Sequence, residues 1–244
     1  MKSYTITDAG KVRSENQDCV RFVQNIMPYF GIITLCDGMG GAKAGGVASG
    51  EALSAFTEKM AELLLDKNSR KPLTERAKLA VDYANQVVYD SAVTNDEYYG
   101  MGTTLVAAVV RGRQCAVVNV GDSRAYLIAD GGITQISDDH SFVADMVKRG
   151  SITVEQARNH PRKNIITRAL GIEPEVECDV FLPTVKKGNI LLLCSDGLSN
   201  TLTDEEILEI ILRYRSLEDM GKELLELALS RGAPDNVTVG LLRR

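Results

Sequence analysis

Four short runs between Gly102 and Ser137 leave this chain little freedom of architecture. "GTTLVAAVVR", "QCAVVNVG", "SRAYLIAD" and "ITQIS" are rich in β-branched and small apolar residues, and only a few residues separate each from the next. Parallel strands need a crossover of about a dozen residues or more, so strands this close in sequence pair antiparallel. The breaks between them hold turn-forming residues: Gly112, Gly121-Asp122 and Gly131-Gly132. The Asp130-Gly131 pair is a strong hairpin signal.

Two helical stripes precede this meander. Leu53, Phe56, Met60 and Leu63 recur at helical spacing after a glycine-rich turn. Ala77, Val81, Ala84 and Val88 mark a second helix over roughly Leu73 to Ser91, expected to pack beside the first. From about 141 to 170 the periodicity fades. Ser141 is placed to cap a short helix ending near Gly150, and Thr153-x-x-Gln156 fits a capping box. "NHPRKNIITRALG" reads as an excursion over the surface. "NILLLCSDG" reads as a strand. Thr203-x-x-Glu206 opens a helix carrying Ile207, Ile210 and Tyr214, and Ser216-x-x-Asp219 opens another with Met220, Leu224 and Leu227 that stops at Gly232. "NVTVGLL" closes the chain as a strand. Strands and helices are segregated, which points to an α+β layered domain of antiparallel sheets covered by helices, not a doubly wound parallel sheet. No low-complexity linker interrupts the chain, so one domain over 1–244 is expected.

A formal net charge of -5 over 244 residues argues against a nucleic-acid partner and leaves room for an acidic cluster that needs cations. No apolar run approaches the roughly 20 residues of a membrane span. The N-terminus lacks the apolar core of a secretory signal, so a cytoplasmic protein with no membrane partner is expected. Cys19, Cys36, Cys115, Cys178 and Cys194 form an odd set without a C-x-x-C pair, which disfavours a disulfide framework or a zinc site. They read as small buried hydrophobes.

The candidate chemistry lies in carboxylates at element boundaries. "GIITLCDGMGG" drives an apolar strand into Asp37 and then removes nearly every side chain, and "ILLLCSDGLSN" repeats the figure at Asp196. Asp18 in "VRSENQD", Asp122 in "VGDSR" and Asp235 in "APDNVTV" occupy similar places. One Asp-Gly is most often a plain turn. Five acids in such positions suggest a crowded site, where repulsion raises carboxyl pKa values and divalent cations relieve it. Oxygen ligands without imidazole or thiolate suit magnesium or manganese. Gly38 leaves its carbonyl free to turn toward a cation, and the glycine turn's nitrogens can face phosphate. Arg13, five residues before Asp18, has the fork that suits a phosphate dianion, although a lone arginine is usually a solvated surface group. Other phosphate loops fit poorly. Lys43 stands where a dinucleotide loop needs its third glycine, Asp37 would set a charge beside a pyrophosphate, and the P-loop ending and the D-x-D-G-T pattern are absent.

In order along the chain, "DAGKVRSENQD", "LCDGMGGAKAGGVAS", "GTTL", "NVGDSRAYLI", "DDHS", "NIITRALG", "LLLCSDGLSN" and "PDNVTV" resemble the metal-dependent type 2C protein phosphatases, in their compact bacterial form, over essentially the whole chain. The resemblance implies two antiparallel sheets in a sandwich flanked by pairs of helices, four layers α-β-β-α. It implies that Asp37, Asp196 and Asp235 hold one Mn2+ or Mg2+ ion, and that Asp37 bridges to a second with the Gly38 carbonyl. Asp18 would orient waters on that second ion, and Asp122 would share a third, weaker ion with Asp196. Arg13 would bind phosphate, and about 141–170 would form a flap near the site. The implied reaction is hydrolysis of phosphoserine and phosphothreonine in phosphorylated proteins by a metal-activated water. It would reverse a bacterial serine/threonine kinase, and the enzyme would act as a monomer. Two positions matter within the resemblance: Met39, usual in bacterial members, stands where eukaryotic members often have a proton-donating histidine, and Gln17 stands where many relatives carry glutamate. With Met39 inert, the leaving alkoxide is expected to take its proton from a water near Asp122. His140 is weighed as a supporting group against a plain turn histidine, His160 as structural, and Thr103 and Thr104 as buried strand threonines. The rival readings are a phosphoprotein-binding module without turnover, a phosphatase of small metabolites, and a phosphatase of a transcriptional regulator.

Overall fold

The computed structural model describes residues 1–25, 29–41 and 44–244, so Lys43 lies outside the described residues. The chain begins with β1 (Lys2–Asp8), β2 (Asp18–Asn25) and β3 (Phe30–Met39), then α1 (Ala44–Leu65) and α2 (Leu73–Thr94). The meander holds β4 (Gly102–Thr103), β5 (Leu105–Arg111), β6 (Gln114–Val120), β7 (Arg124–Ala129) and β8 (Gly132–Gln135). Helices α3 (Phe142–Lys148) and α4 (Val154–Arg158) lead to β9 (Asp179–Phe181) and β10 (Ile190–Cys194). The chain ends with α5 (Asp196–Ser199), α6 (Asp204–Arg213), α7 (Leu217–Ser230) and β11 (Val237–Arg243).

One sheet runs β1-β11-β10-β7-β8, the other β2-β3-β5-β6-β9 with β4 added to β3. Every pairing is antiparallel. The Asp130-Gly131 hairpin forms with both residues at positive φ, 52° and 79°, as a tight primed turn requires. The meander departs from the expected pattern at one point. β6 and β7 follow each other in the chain yet lie in different sheets, and Gly121-Asp122 is the crossing between them. Gly121 has φ +104°, and a β-carbon there would overlap the Thr104 side chain, so only glycine makes this crossing without strain.

Apolar residues of β3 alternate between two cores. Ile32 faces Phe56, Met60 and Val81 of α1 and α2, while Ile33 and Leu35 face Val106, Leu191 and Leu193 between the sheets. A third core joins Tyr126, Leu192 and Val239 to Ile207, Met220 and Leu224 of α6 and α7. The four layers α-β-β-α follow from these three cores. β5, β10 and β11 are covered on both faces, which is why they read as unbroken apolar runs.

Capping boxes form at Thr153/Gln156 and Thr203/Glu206. Ser216 caps through the Glu218 amide, not that of Asp219, and Tyr214 falls just beyond α6 as its C-cap. α2 runs past Ser91 to Thr94, where Ala92 stays buried. The 141–170 stretch is more than a surface excursion: bridges Ser141↔Ile166 and Thr103↔Leu170 pin it, and Leu170 is fully buried. Among the described residues, no helix is long and apolar enough to cross a membrane.

Candidate active site

The strand ends at one end of the sandwich bring the acids together. Asp18 begins β2 directly opposite Asp37 on β3. Asp122 lies at the crossing after β6, Asp196 just after β10 and Asp235 just before β11. Asp37, Asp122, Asp196 and Asp235 line one cavity of about 430 Å³ with Arg13, Gly38 and Met39. Asp18 sits behind this wall, 5% exposed.

Two expected turns have other forms. β3 does not stop at Asp37 but continues to Met39, pairing Gly38 with Thr103. A β-carbon on Gly38 would overlap the Gly45 carbonyl, so the glycine lets the start of α1 press against the strand. Asp196 is the first residue of the one-turn α5, not part of a β-turn. Its Oδ2 accepts from Asn200 Nδ2 at 3.0 Å.

The threonines do more than fill a strand. Thr103 Oγ1 donates to the Asp37 carbonyl at 2.9 Å, and the Asp37 amide donates to Thr104 Oγ1 at 3.0 Å. Thr104 Oγ1 also meets Ser123 Oγ at 2.8 Å, beside Asp122. Asp37 is therefore held by its backbone while its carboxylate stays available. Arg13 pairs with Asp235, Nη2 to Oδ2 at 2.8 Å, and not with Asp18. Its side chain remains 57% exposed at the cavity rim. Asn236 ties the Arg13 segment down: its Nδ2 donates to the carbonyls of Ala9 and Glu15, and its Oδ1 accepts from the Gln17 amide.

The acids feel one another. Burial first, then the charges of Asp18, Asp196, Asp122 and Asp235, push the Asp37 carboxyl well above the ordinary range. Asp196 is raised likewise by burial and by Asp122, Asp235 and Asp18. Burial and then Asp139 lift Asp122 to about 7. Asp18 rises to about 6 through burial, although bonds from Thr238, Ser195 and Asp37 pull it back. Its Oδ2 accepts from Thr238 Oγ1 at 2.6 Å, while its buried Oδ1 has no hydrogen-bond partner.

These residues fit divalent cations. The donors are hard oxygens, one buried carboxylate oxygen is unsatisfied, and crowding makes the ionised form of the cluster costly unless cations stand beside it. Among the described residues, no three acidic, imidazole or thiol groups already form a closed ligand set. The acids instead ring the cavity, as mutually repelling carboxylates do.

Five wall residues were not anticipated: Ser14, Glu15, Asn164, Ile166 and Asn236. Each had a signal only in the ordered blocks: Ser14 and Glu15 stand inside "DAGKVRSENQD", Asn164 and Ile166 inside "NIITRALG" and Asn236 inside "PDNVTV", while periodicity pointed to none of them. A second cavity of about 360 Å³ shares Arg13, Asp196 and Asp235 and adds Lys163 and Arg231. His160 stays outside both cavities, packed against Phe142 with ring centroids 6.2 Å apart. His140 is also absent from the wall but bonds the backbone beside Asp122.

An α-β-β-α sandwich with crowded carboxylates and an arginine at one end is the arrangement expected of the metal-dependent phosphoprotein phosphatases. A profile of the protein phosphatase 2C family matches residues 11–235, and the chain belongs to that family. It is 39% identical over 245 residues to the serine/threonine phosphatase stp of Listeria welshimeri, covering 98% of this chain and 94% of that protein. The crystal structure of the Mycobacterium tuberculosis serine/threonine phosphatase PstP/Ppp superposes with a TM-score of 0.88 at 37% identity, covering 98% of this chain and 97% of that one. The catalytic domain of PstP in complex with two manganese ions has a TM-score of 0.85 at 36% identity, covering 98% of this chain and 96% of that one.

Proposed function

We propose that this chain removes phosphate from phosphoserine and phosphothreonine in proteins, reversing a bacterial serine/threonine kinase, with water as the nucleophile. The observation that carries the reading is the cavity itself, where four mutually repelling aspartates and one exposed arginine share a wall with a fifth aspartate behind it. Asp37, Asp196 and Asp235 are assigned to one Mn2+ or Mg2+ ion, and Asp37, the Gly38 carbonyl and Asp18 to a second. Asp122 with Asp196 is assigned to a third, weaker ion. When bound, such ions neutralise the carboxylates, polarise phosphoryl oxygens and make water a better nucleophile near neutral pH.

The chain's own residues do the rest. Arg13 spends one amino group on Asp235, and its remaining donors face the rim, where they hold the phosphate dianion and orient phosphorus for in-line attack. Thr103 and Thr104 keep Asp37 from shifting as charge moves to the departing oxygen. Met39 lines the cavity but has no proton to give, so the serine or threonine alkoxide takes its proton from water held at Asp122. The stretch of about 141–170 brings Asn164 and Ile166 to the wall and is read as a flap over a single catalytic domain of residues 1–244.

The experiment is phosphate release from a phosphothreonine peptide with Mn2+, with chelator, and with Asp37→Asn. Release that requires Mn2+ and is lost in the variant is expected. Absence of release with any divalent ion would leave a phosphoprotein-binding module, and faster turnover of sugar phosphates than of phosphopeptide would reassign the substrate.

A further inference from the structure

Two short motifs, Gly121-Asp122-Ser123-Arg124 and Asp138-Asp139-His140-Ser141, clasp one another. His140 takes both backbone groups of Gly121. Its own amide donates to the Gly121 carbonyl at 3.0 Å, and its Nδ1 accepts from the Gly121 amide at 3.1 Å. On the far side of Asp122, the Asp139 carboxylate holds the Arg124 guanidinium through Nε at 3.0 Å and Nη2 at 2.7 Å. Between them, Ser123 Oγ is tied to Thr104 Oγ1. Both chain neighbours of Asp122 are thus fixed by side-chain bonds.

The contact at Gly121 also determines the histidine tautomer. An amide N–H can only donate, so Nδ1 must present its lone pair, and in neutral imidazole the proton then sits on Nε2. Nε2 lies 3.1 Å from Asp179 Oδ2, which accepts that proton's hydrogen bond. Arg168 Nη1 lies 3.3 Å from both Asp179 Oδ1 and His140 Nε2; with the proton on Nε2 there is no lone pair left for it there, so it donates to the carboxylate alone. His140 is 5% exposed, so no bulk water competes for these bonds.

We infer that His140 is a positioning residue that sets the place of Asp122 through the Gly121 backbone, with Asp179 holding the imidazole in the tautomer this requires. This rests on the reading of Asp122 as an ion-holding acid. Gly121 crosses between sheets at positive φ, outside any strand ladder, so its backbone groups need partners from elsewhere. His140 supplies one to each of them, and Asn119 Nδ2 adds a second bond to the carbonyl at 3.1 Å, so the Gly121 amide depends on the imidazole alone. Groups that orient a metal ligand typically cost about 10–100-fold in affinity or activity when removed.

Two substitutions separate positioning from bulk stability. In His140→Asn the amide oxygen stands near Nδ1 and still accepts from Gly121. In His140→Gln the amide reaches toward Asp179 and leaves the Gly121 amide unpaired. Mn2+ binding to the full chain is followed by calorimetry, with Asp122→Asn marking the binding step that belongs to Asp122. Thermal midpoints and phosphopeptide turnover are measured alongside. His140→Gln is expected to weaken the Asp122-dependent step about tenfold or more and to leave the other Mn2+ steps unchanged, while His140→Asn stays much closer to the parent. Equal losses in both variants that track the thermal midpoint would overturn the inference, as would unchanged binding in both, or an Asp122→Asn variant that alters no Mn2+ step. Should the glutamine variant fail to fold, the imidazole nitrogen spectrum of the parent chain decides. A persistent Nε2–H tautomer supports the inference and an Nδ1–H tautomer refutes it. Parent chain that binds Mn2+ but releases no phosphate would defeat the proposed activity and leave the His140 measurements interpretable.

Discussion

Asp18 shows how one residue links stability to the site. Its carboxyl is buried, raised to about 6 and left with an unsatisfied oxygen. The folded-state pKa lies above the unfolded value of 3.8, so the folded chain holds the extra proton between the two, and stability falls as pH climbs through that window. Asp122, raised to about 7, extends the same trend upward. In chelator, Asp18→Asn is expected to melt several degrees above the parent at pH 7.5, the gap closing toward about pH 4. A gap that is flat with pH, or that widens on acidification, would contradict this account of Asp18. Activity runs the other way. Asp196→Ala, which removes a charge the proposed ions need, is expected to lose orders of magnitude in phosphopeptide turnover. Retained turnover would count heavily against that ligand assignment.

Elements behave according to local chemistry where that chemistry is complete. The Thr203/Glu206 box satisfies reciprocal donors at the start of α6, far from the acids in function if not in sequence. Thr203→Ala is expected to cost about 1 kcal/mol, or roughly 2–4 °C in melting temperature, with turnover unchanged. Gly38→Ala tests the opposite case. The methyl group has nowhere to go but into the Gly45 carbonyl, so β3 and α1 must separate. A loss of about 1–3 kcal/mol together with weakened Mn2+ binding is expected, and a variant equal to the parent in both would show that the approach is not tight. β9 marks the limit of local reading. Asp179–Phe181 has no periodicity of its own and becomes a strand only because β6 offers a free edge, pairing Val117 with Phe181.

At the scale of the molecule, two sheets present their strand ends to one cavity, and ions bound there join segments far apart in the chain. Anything that binds only the folded state stabilises it, by about 2.7 kcal/mol at a hundredfold excess over Kd. Mn2+ is therefore expected to raise the melting temperature by several degrees, and chelator to reverse the gain; a midpoint indifferent to Mn2+ would separate the acids from metal binding. Much of this architecture was legible beforehand. The apolar runs, the Asp130-Gly131 hairpin and the capping boxes depend on neighbours a few residues away, and each formed as expected.

What the sequence alone determined was the kind of chain this is: antiparallel strands, two helix pairs, and acids placed where strands meet turns. Those features rest on short-range sterics, periodicity and capping, which a linear reading contains. Only the tertiary structure decided that β6 and β7 part into different sheets, that Arg13 turns to Asp235, and that Asp18 stands behind the wall and not on it. Only it revealed that His140 grips Gly121. These depend on which distant surfaces meet, and a strand's sheet is chosen by the cores it buries on each face, not by its own residues.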